Sequence, residues 1–372
     1  MATYKEIRGV NIQSLAADPT AVEGDVWYNA TTSKLKMYAA VGAWATGGTA
    51  GSGRYLGNGA GTIAAGLYWG GQTGGNNTVA LTETYDGTSW AEVGDLNSAR
   101  YATGQAGTQT AFLVFGGAAP PSNTRKDECE TYDGSSWSEV GDLNASHGTG
   151  GGDCGTTQTA ALVWGGHPGE TVNTEKWDGT NWTEVNNLNT GRAASGGAGT
   201  TTAGLCIGGN GPGGTVLTVC EEYDGTNWAE TGDLNTSSSY RQGIGSQTAA
   251  FGCGGYPSDT VTNIVEEYDG TSWTETTDFN TARRSGTSAG TTSNGLLIAG
   301  YAGSPIANVE SWNGSSWTEI ADVSTAVHAQ AARSGTGTTG TAAISAGGSR
   351  PAYTAVTEEF SFSASVETLG VD

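Results

Sequence analysis

The chain has 372 residues, with 15 Lys and Arg against 37 Asp and Glu, so its formal net charge at pH 7 is −22. Proteins that bind nucleic acid neutralise phosphates with Lys and Arg, so this balance argues against a nucleic-acid partner. The first residues lack an apolar core of signal-peptide length, and no run of 18 apolar residues occurs anywhere. We therefore expect neither export by the usual signal nor insertion into a membrane.

Residues 1–40 differ in pattern from everything that follows. Val26–Asn29 and Lys34–Tyr38 flank the turn region Ala30–Ser33, which predicts a β-hairpin. The residues before the hairpin have little power to form a core. Because free termini are ordered only where something holds them, we expect this segment to dock on this chain or on a neighbour.

From residue 41 onward the chain repeats one phrase, which reads ETYDGTSW at Glu83–Trp90. The final tryptophans of its six copies lie 44 to 47 residues apart, at Trp90, Trp137, Trp182, Trp228, Trp273 and Trp317. A pair of small residues keeps the same spacing seven times, at 70–71, 116–117, 165–166, 208–209, 254–255, 299–300 and 347–348. A fixed period of this length predicts one supersecondary unit used repeatedly.

Each unit contains the signals of four short antiparallel strands. In the second copy these are a Gly-rich segment, the apolar run Ala111–Phe115, a strand ending at Tyr132 and a strand starting at Trp137. The Asp-Gly turn at Asp133 is a hairpin signal, and a continuous apolar run is typical of a strand buried on both faces. Small residues suit innermost strands that converge on an axis. The fold class is therefore all-β, and we predict a seven-bladed β-propeller over residues 41–372.

The seventh unit ends in an aromatic strand, Glu358–Phe360, that is followed by no tryptophan. Trp44 lies ten residues before Arg54, as Trp90 lies ten before Arg100. We therefore favour Trp44–Thr46 as the outer strand that closes the last blade, which would remove exposed sheet edges. The alternative is that Ala364–Leu369 completes this blade.

Several residue types recur with the units and favour structural roles. A glutamate stands two residues before each aromatic of the phrase, at Glu83, Glu130, Glu175, Glu221, Glu266, Glu310 and Glu358. Arginine recurs at the start of the innermost strand, at Arg54, Arg100, Arg192 and Arg283, with His147 in the same slot. Because groups repeated in every unit are seldom catalytic, we favour Glu–Arg pairs between strands over a ring of binding carboxylates. The turn aspartates are likewise expected to form turns rather than bind calcium.

Cysteine and histidine give no catalytic constellation. The five cysteines have no C-x-x-C spacing, and we favour free thiols over a Cys206–Cys220 disulfide. The three histidines, His147, His167 and His328, show no clustering of the kind that a zinc site needs. We expect no cofactor, no metal and no enzymatic activity.

The loops after the glycine pairs vary in length and sequence, and up-and-down connectivity places them all at one end of the units. If recurrence marks scaffold, function belongs where recurrence fails. The candidate ligand-binding residues of this loop face are Tyr256, Tyr301, Tyr353, His167, Asn123, Arg125 and Arg350. Tyrosine and arginine contribute disproportionately to binding energy. Drift in loops that bind nothing is the alternative.

The apolar strand ending in two glycines, then an aromatic, then a tryptophan five residues later resembles the repeat of the kelch propellers. That resemblance implies the fold but no single function. The hairpin phrase GDVWYNATTSKLKMYAAVGAW is similar to the front of many bacteriophage tail and fibre-associated proteins. The units around Gln105–Ala111, Glu222–Trp228 and Gly232–Thr236 resemble kelch-like repeat proteins of marine bacteriophages.

These resemblances imply a virion structural protein that is assembled in the host cytoplasm and present in several copies. Residues 1–40 would bind other virion proteins, and the loop face would contact a host-surface receptor or glycan. Capsid decoration, or a stand-alone kelch-type lectin or enzyme, are the alternatives. The residues expected to anchor the chain to the particle are Tyr4, Ile7, Val10, Ile12, Trp27 and Tyr28.

Overall fold

A computed structural model describes residues 12–20, 25–75, 77–120, 124–148, 152–328, 342–348 and 353–369. The fold is all-β, and the chain divides into two compact units, Met1–Ala43 with Ser361–Asp372, and Trp44–Phe360. The boundary predicted at residue 40 stays a prediction.

The strands of the described residues are, in chain order, β1 (Gln13–Leu15), β2 (Val26–Asn29), β3 (Lys34–Thr46), β4 (Asn58–Thr62), β5 (Ala65–Trp69), β6 (Gln72–Thr73), β7 (Asn77–Thr78), β8 (Thr82–Tyr85), β9 (Trp90–Glu92), β10 (Gly104–Thr108), β11 (Ala111–Phe115), β12 (Ala118–Ala119), β13 (Thr124–Arg125), β14 (Cys129–Tyr132), β15 (Trp137–Glu139), β16 (Gly152–Thr157), β17 (Ala160–Trp164), β18 (Thr174–Trp177), β19 (Trp182–Glu184), β20 (Gly196–Thr200), β21 (Ala203–Asn210), β22 (Val216–Tyr223), β23 (Trp228–Glu230), β24 (Gln242–Ser246), β25 (Ala249–Cys253), β26 (Val265–Tyr268), β27 (Trp273–Glu275), β28 (Thr287–Thr291), β29 (Asn294–Tyr301), β30 (Pro305–Trp312), β31 (Trp317–Glu319), β32 (Ala342–Ala346) and β33 (Thr357–Thr368). A 3₁₀ turn covers Pro212–Gly214.

In the first unit, β2 and β3 form the predicted hairpin, with Val26 opposite Met37 and Asn29 opposite Lys34. The strand β1 pairs with β2 in parallel. Asp18 ties this part together, because its carboxylate accepts hydrogen bonds from the Trp27 indole and the Asn29 amide and pairs with Lys36 at 3.0 Å. These bonds lower the pKa of Asp18 to about 2, and the hydrogen bond from Asn29 has the largest effect. The unit also holds the end of β33, where the Leu369 amide donates to the Leu35 carbonyl.

Within the described residues of the second unit, six sheets have four strands each and run antiparallel in chain order: β4-β5-β8-β9, β10-β11-β14-β15, β16-β17-β18-β19, β20-β21-β22-β23, β24-β25-β26-β27 and β28-β29-β30-β31. This confirms four antiparallel strands per repeat and gives a propeller-like architecture. The small two-stranded ribbons β6-β7 and β12-β13 extend the loops after the first two glycine pairs.

The core of this unit lies between neighbouring sheets. Leu67 and Trp69 of the first sheet pack with Phe112 and Val114 of the second, and all four side chains are buried. Polar bonds join the same neighbours. The Gln109 side chain donates to carbonyls of the preceding sheet, and Gln158 and Gln247 do so at the next equivalent places. Each continuous apolar run is therefore buried on both faces, as its sequence predicts.

One backbone hydrogen bond recurs where each glycine pair meets the repeat that follows it. The second residue of the pair donates to a carbonyl at the start of the next repeat. Among the described residues these bonds run from Gly71 to Arg100, Gly117 to His147, Gly166 to Arg192, Gly209 to Ser238, Gly255 to Arg283, Gly300 to Val327 and Gly348 to Arg54. The last of them joins the seventh pair to the first repeat.

The recurrent glutamates form buried pairs with the recurrent arginines, as predicted. Arg192 Nη2 lies 2.5 Å from Glu221 Oε1, and equivalent pairs join Arg54 to Glu83, Arg100 to Glu130 and Arg283 to Glu310. The recurrent glutamates of the second to sixth repeats each accept a backbone N–H group from the connection that enters their sheet. His147 replaces arginine with a longer contact, 3.4 Å from Glu175. The alternative that was not favoured, a ring of binding carboxylates, does not fit these buried residues, because their oxygens already accept hydrogen bonds from the protein.

The remaining large sheet has five strands in the order β1-β2-β3-β33-β32, so β33 lies between β3 and β32. The Gly47 amide donates to the Thr357 carbonyl at 2.9 Å, and the rings of Trp44 and Phe360 lie 5.2 Å apart. The alternative outer strand, Ala364–Leu369, belongs to the first unit. The chain segment after Trp44 therefore runs beside the final aromatic strand.

Candidate functional site

The loop face, defined as the end of the sheets that carries the loops after the glycine pairs, has a recurrent backbone frame. In five of the repeats, the residue after the arginine slot forms a β-bridge with the residue after the glycine pair. These bridges are Tyr55 to Gln72, Tyr101 to Ala118, Ala193 to Asn210, Ser239 to Tyr256 and Arg284 to Tyr301. The backbone bridge is the same in these repeats, but the residues that form it differ, so each repeat presents different side chains at the loop face.

On one side of the loop face these positions and their neighbours carry aromatic rings and an arginine in mutual contact. We call this group the tyrosine–arginine cluster. It consists of Tyr55, Tyr240, Tyr256, Arg284, Tyr301, His328 and Tyr353. The equivalent positions of the second, third and fourth repeats include Ala118, Gly148 and Ala193, which have no comparable side chains, and Tyr101, which is buried.

Arg284 lies at one end of the cluster, among three tyrosine rings. Its guanidinium carbon is 4.4 Å from the ring centroid of Tyr256 and 5.4 Å from those of Tyr240 and Tyr301. Distances below about 6 Å give a favourable cation–π attraction of about 0.5–1 kcal/mol at such partly exposed positions. The three rings therefore hold the guanidinium in place while offering it no hydrogen-bond acceptor from their faces.

Tyr55 lies at the other end, between the last and first repeats. Its ring is stacked on Tyr353 at 6.0 Å and meets the edge of His328 at 5.7 Å, and His328 lies 5.2 Å from Tyr301. Burial, followed by the neighbouring Tyr353, raises the pKa of Tyr55, whereas the charge of Arg284 opposes the shift. The Arg284 charge at one end of the cluster therefore acts on the Tyr55 hydroxyl at the other end.

Tyr240 lies beside an irregularity in the fifth repeat. Wherever the structure describes it, the second residue after the arginine slot has a positive φ, as at Leu56 and Ser285, and Tyr240 occupies this position with φ 53°. Ser238 fills the arginine slot, and Arg241 reaches Glu266 from three residues further on, at 3.1 Å. A left-handed backbone is uncommon for a bulky residue and carries strain. The Tyr240 side chain lies on the surface, where 44% of the residue is exposed.

The structure brings together only part of the predicted loop-face set. Tyr256, Tyr301 and Tyr353 lie in the cluster. His167, 3.8 Å from Glu170, and Arg125, on β13, belong to other repeats and are outside it. Asn123 and Arg350 lie outside the described residues.

Four members of the cluster, Tyr55, Tyr240, Arg284 and His328, were missed by the sequence analysis. Three of them, Tyr55, Arg284 and His328, directly follow the arginine slot. A comparison of this one position across the repeats would have drawn attention to them, because it holds a small residue in the third, fourth and fifth repeats, although the second repeat has Tyr101 there.

The predicted anchor residues are described only in part. Trp27 is buried, and Tyr28 and Ile12 are each 38% exposed. Tyr4, Ile7 and Val10 lie outside the described residues. Of the set, Trp27 therefore contributes to the core of its hairpin, while Ile12 and Tyr28 have surface that a partner could cover.

The remaining chemical groups give no second site. All five cysteines are free and buried, Cys206 and Cys220 included. In the part of the chain that the structure describes, no three His, Cys, Asp or Glu side chains are grouped as a metal ion would require. Over the same residues, no helix is both long and apolar enough to span a membrane.

The chain matches no protein-family model and no curated protein sequence.

Proposed function

We propose that this chain is a non-enzymatic phage virion protein, associated with the tail, whose loop face attaches the particle to a glycan on the host surface. The observation that carries the proposal is the tyrosine–arginine cluster. It joins six ring side chains and one arginine at positions that hold scaffold residues in other repeats. Tyr and Arg are the residues most enriched at binding hot spots, and partly exposed rings on a rigid frame lose little entropy on binding.

We further propose that the second unit is a closed propeller of seven blades, with Trp44–Thr46 as the outer strand of the last. The bond from Gly348 to Arg54 repeats, between the last and first repeats, the bond found at every other junction. The Trp90 indole donates to Thr357 as that of Trp137 donates to Thr82 in the next sheet. Closure would hold the cluster rigid, since Tyr55 and Tyr353 come from the first and last repeats.

Attachment to the particle is assigned to residues 1–40, on the resemblance of the hairpin phrase to phage tail and fibre proteins. Deleting residues 2–40 should abolish incorporation into particles, while the circular dichroism spectrum of the purified propeller stays that of a folded β protein. Normal incorporation of the deleted chain would contradict the anchoring role.

Host attachment is tested by competition. Purified chain, added to host cells before the particles, should reduce adsorption, and Tyr256→Ala combined with Tyr301→Ala should remove this inhibition. His167→Ala is the matched control, because His167 also follows a glycine pair but lies outside the cluster. Equal inhibition by the double variant and by the wild type would refute the role of the cluster.

Capsid decoration and a stand-alone lectin are the competing functions. A lectin outside any particle would use the same cluster, so only the location of the chain separates it from the virion protein. A kelch-type enzyme would instead bring stoichiometric copper or zinc, which metal analysis of the purified chain would detect.

A further inference from the structure

We infer that the ligand of the tyrosine–arginine cluster is an acidic saccharide, with its carboxylate held by Arg284 and its sugar rings packed on the neighbouring tyrosines. This inference rests on the proposed function, since it names the class of glycan that the loop face would bind.

The first support is the contrast between two adjacent arginines. Arg283 is buried and pairs with Glu310 at 2.5 Å, as its counterparts do in other repeats. Arg284 is half-buried, and none of the ion pairs among the described residues includes it. A guanidinium stays charged at every physiological pH and carries five N–H donors. The neighbouring tyrosines position this cation without neutralising it.

The second support is the chemistry that such a group selects. A guanidinium binds a carboxylate through two parallel hydrogen bonds, which gives both strength and a fixed orientation. The cluster itself contains no carboxylate, although acidic residues outnumber basic ones by 37 to 15 in the chain. The repulsion of an anionic ligand by distant acidic side chains is screened beyond about 8 Å at physiological salt. A local cation with no acidic neighbour in its cluster can therefore recruit an anion.

The third support identifies a saccharide rather than a small free anion. From Arg284 the cluster continues along Tyr301, His328 and Tyr55 to Tyr353, with ring centroids 5.2 to 6.0 Å apart. The apolar C–H faces of pyranose rings pack against flat aromatic surfaces, which bury large areas per side chain. A row of rings beside one cation thus fits a run of consecutive sugar units, one of which carries a carboxylate.

The test compares two probes that differ only in charge. One is a uronic-acid hexasaccharide, and the other is the same hexasaccharide with its carboxyl groups reduced to alcohols. Titration calorimetry with the full chain should give at least about tenfold tighter binding for the acidic probe, as charge-assisted hydrogen bonds predict. Arg284→Gln should remove this preference, and Arg284→Lys should keep part of it. Arg125→Gln, the same change elsewhere on the loop face, should leave it intact.

A separate readout isolates the aromatic part. Tyr55→Ala should weaken binding of both probes by the same factor, because stacking does not depend on the carboxylate. Melting temperatures of all variants verify that they are folded.

Equal affinity of the wild type for both probes, or no binding of either at millimolar concentration, would overturn the inference. Inorganic sulfate or phosphate that displaces the hexasaccharide at similar concentration would also overturn it, since the site would then select a free anion. Cell attachment is measured on the same samples. Attachment without a preference for the acidic probe refutes only the inference, whereas a preference without attachment refutes only host binding.

Discussion

Glu221 offers the sharpest test of how the sheets are held together. Its side chain is fully buried and accepts four hydrogen bonds, from Arg192 Nη2 at 2.5 Å, the Asn189 amide at 2.7 Å, Asn189 Nδ2 at 2.9 Å and the Thr190 amide at 3.1 Å. Removing one partner of a buried ion pair costs about 3–5 kcal/mol, because the other charge remains uncompensated. Glu221→Gln keeps the shape of the side chain and one acceptor oxygen. We therefore expect it to lower the free energy of unfolding by about 3 kcal/mol, near the lower end of this range.

Guanidinium unfolding followed by tryptophan fluorescence measures this loss. Glu230→Gln is the matched control, because Glu230 faces Glu221 across the strand pair and is exposed. The control should change the free energy of unfolding by no more than about 0.5 kcal/mol. Replacing both partners, Arg192→Met with Glu221→Leu, should cost less than Glu221→Gln alone, since no charge is then left buried. Equal stability of Glu221→Gln and Glu230→Gln, or additive losses in the double variant, would refute the reasoning.

Three further predictions concern the turns, the glycine pairs and the thiols. Gly116→Ala places Cβ 2.4 Å from the His147 carbonyl at φ +61°, whereas Gly213→Ala, at φ +77°, meets nothing within 4 Å. Denaturant unfolding should therefore show Gly116→Ala to be the more destabilised, while Gly213→Ala loses only about 1–2 kcal/mol. The pKa of Asp133 is lowered to about 2 by backbone and side-chain hydrogen bonds in its turn, of which the backbone bond from Ser136 has the largest effect. Because this folded-state pKa lies below the unfolded value, the contribution of the turn is present above about pH 4 and lost as the pH falls through 2, so an NMR titration of Asp133 should have its midpoint near 2. A midpoint near 4 would contradict the turn geometry. Burial raises the pKa of Cys129 to about 12 and that of Cys253 to about 12, so a thiol reagent at neutral pH should label none of the five cysteines until the chain is unfolded.

The strands could be predicted from the sequence because the same order of Gly-rich segment, apolar run and aromatic strand recurs along the chain. The apolar run at Ala111–Phe115 and the strand from Trp137 begin where the sequence places them. The pairing of Glu221 with Arg192 was also predictable, since both residue types recur at fixed positions. These features depend on local pattern and on period, which one sequence displays many times over.

The cluster could be predicted only in part, because its members come from different repeats and meet through tertiary contacts, not through local pattern. Tyr55 and Tyr353 are almost 300 residues apart in sequence yet stack on one another. Tyr240 comes from the fifth repeat, and its contact with Arg284 of the sixth repeat is a tertiary contact that no local pattern indicates. The assignment of Ser361–Asp372 to the first unit was likewise not predictable, since β33 continues without any break in composition.

Immunogold electron microscopy of intact particles, with an antibody against the propeller, tests the central claim most directly. The proposed function predicts label at the tail or its fibres. Incubating the antibody with purified chain beforehand should remove this label. Label spread over the head would contradict the tail assignment and favour capsid decoration. Absence of label from every particle would contradict the claim that this chain is a virion protein.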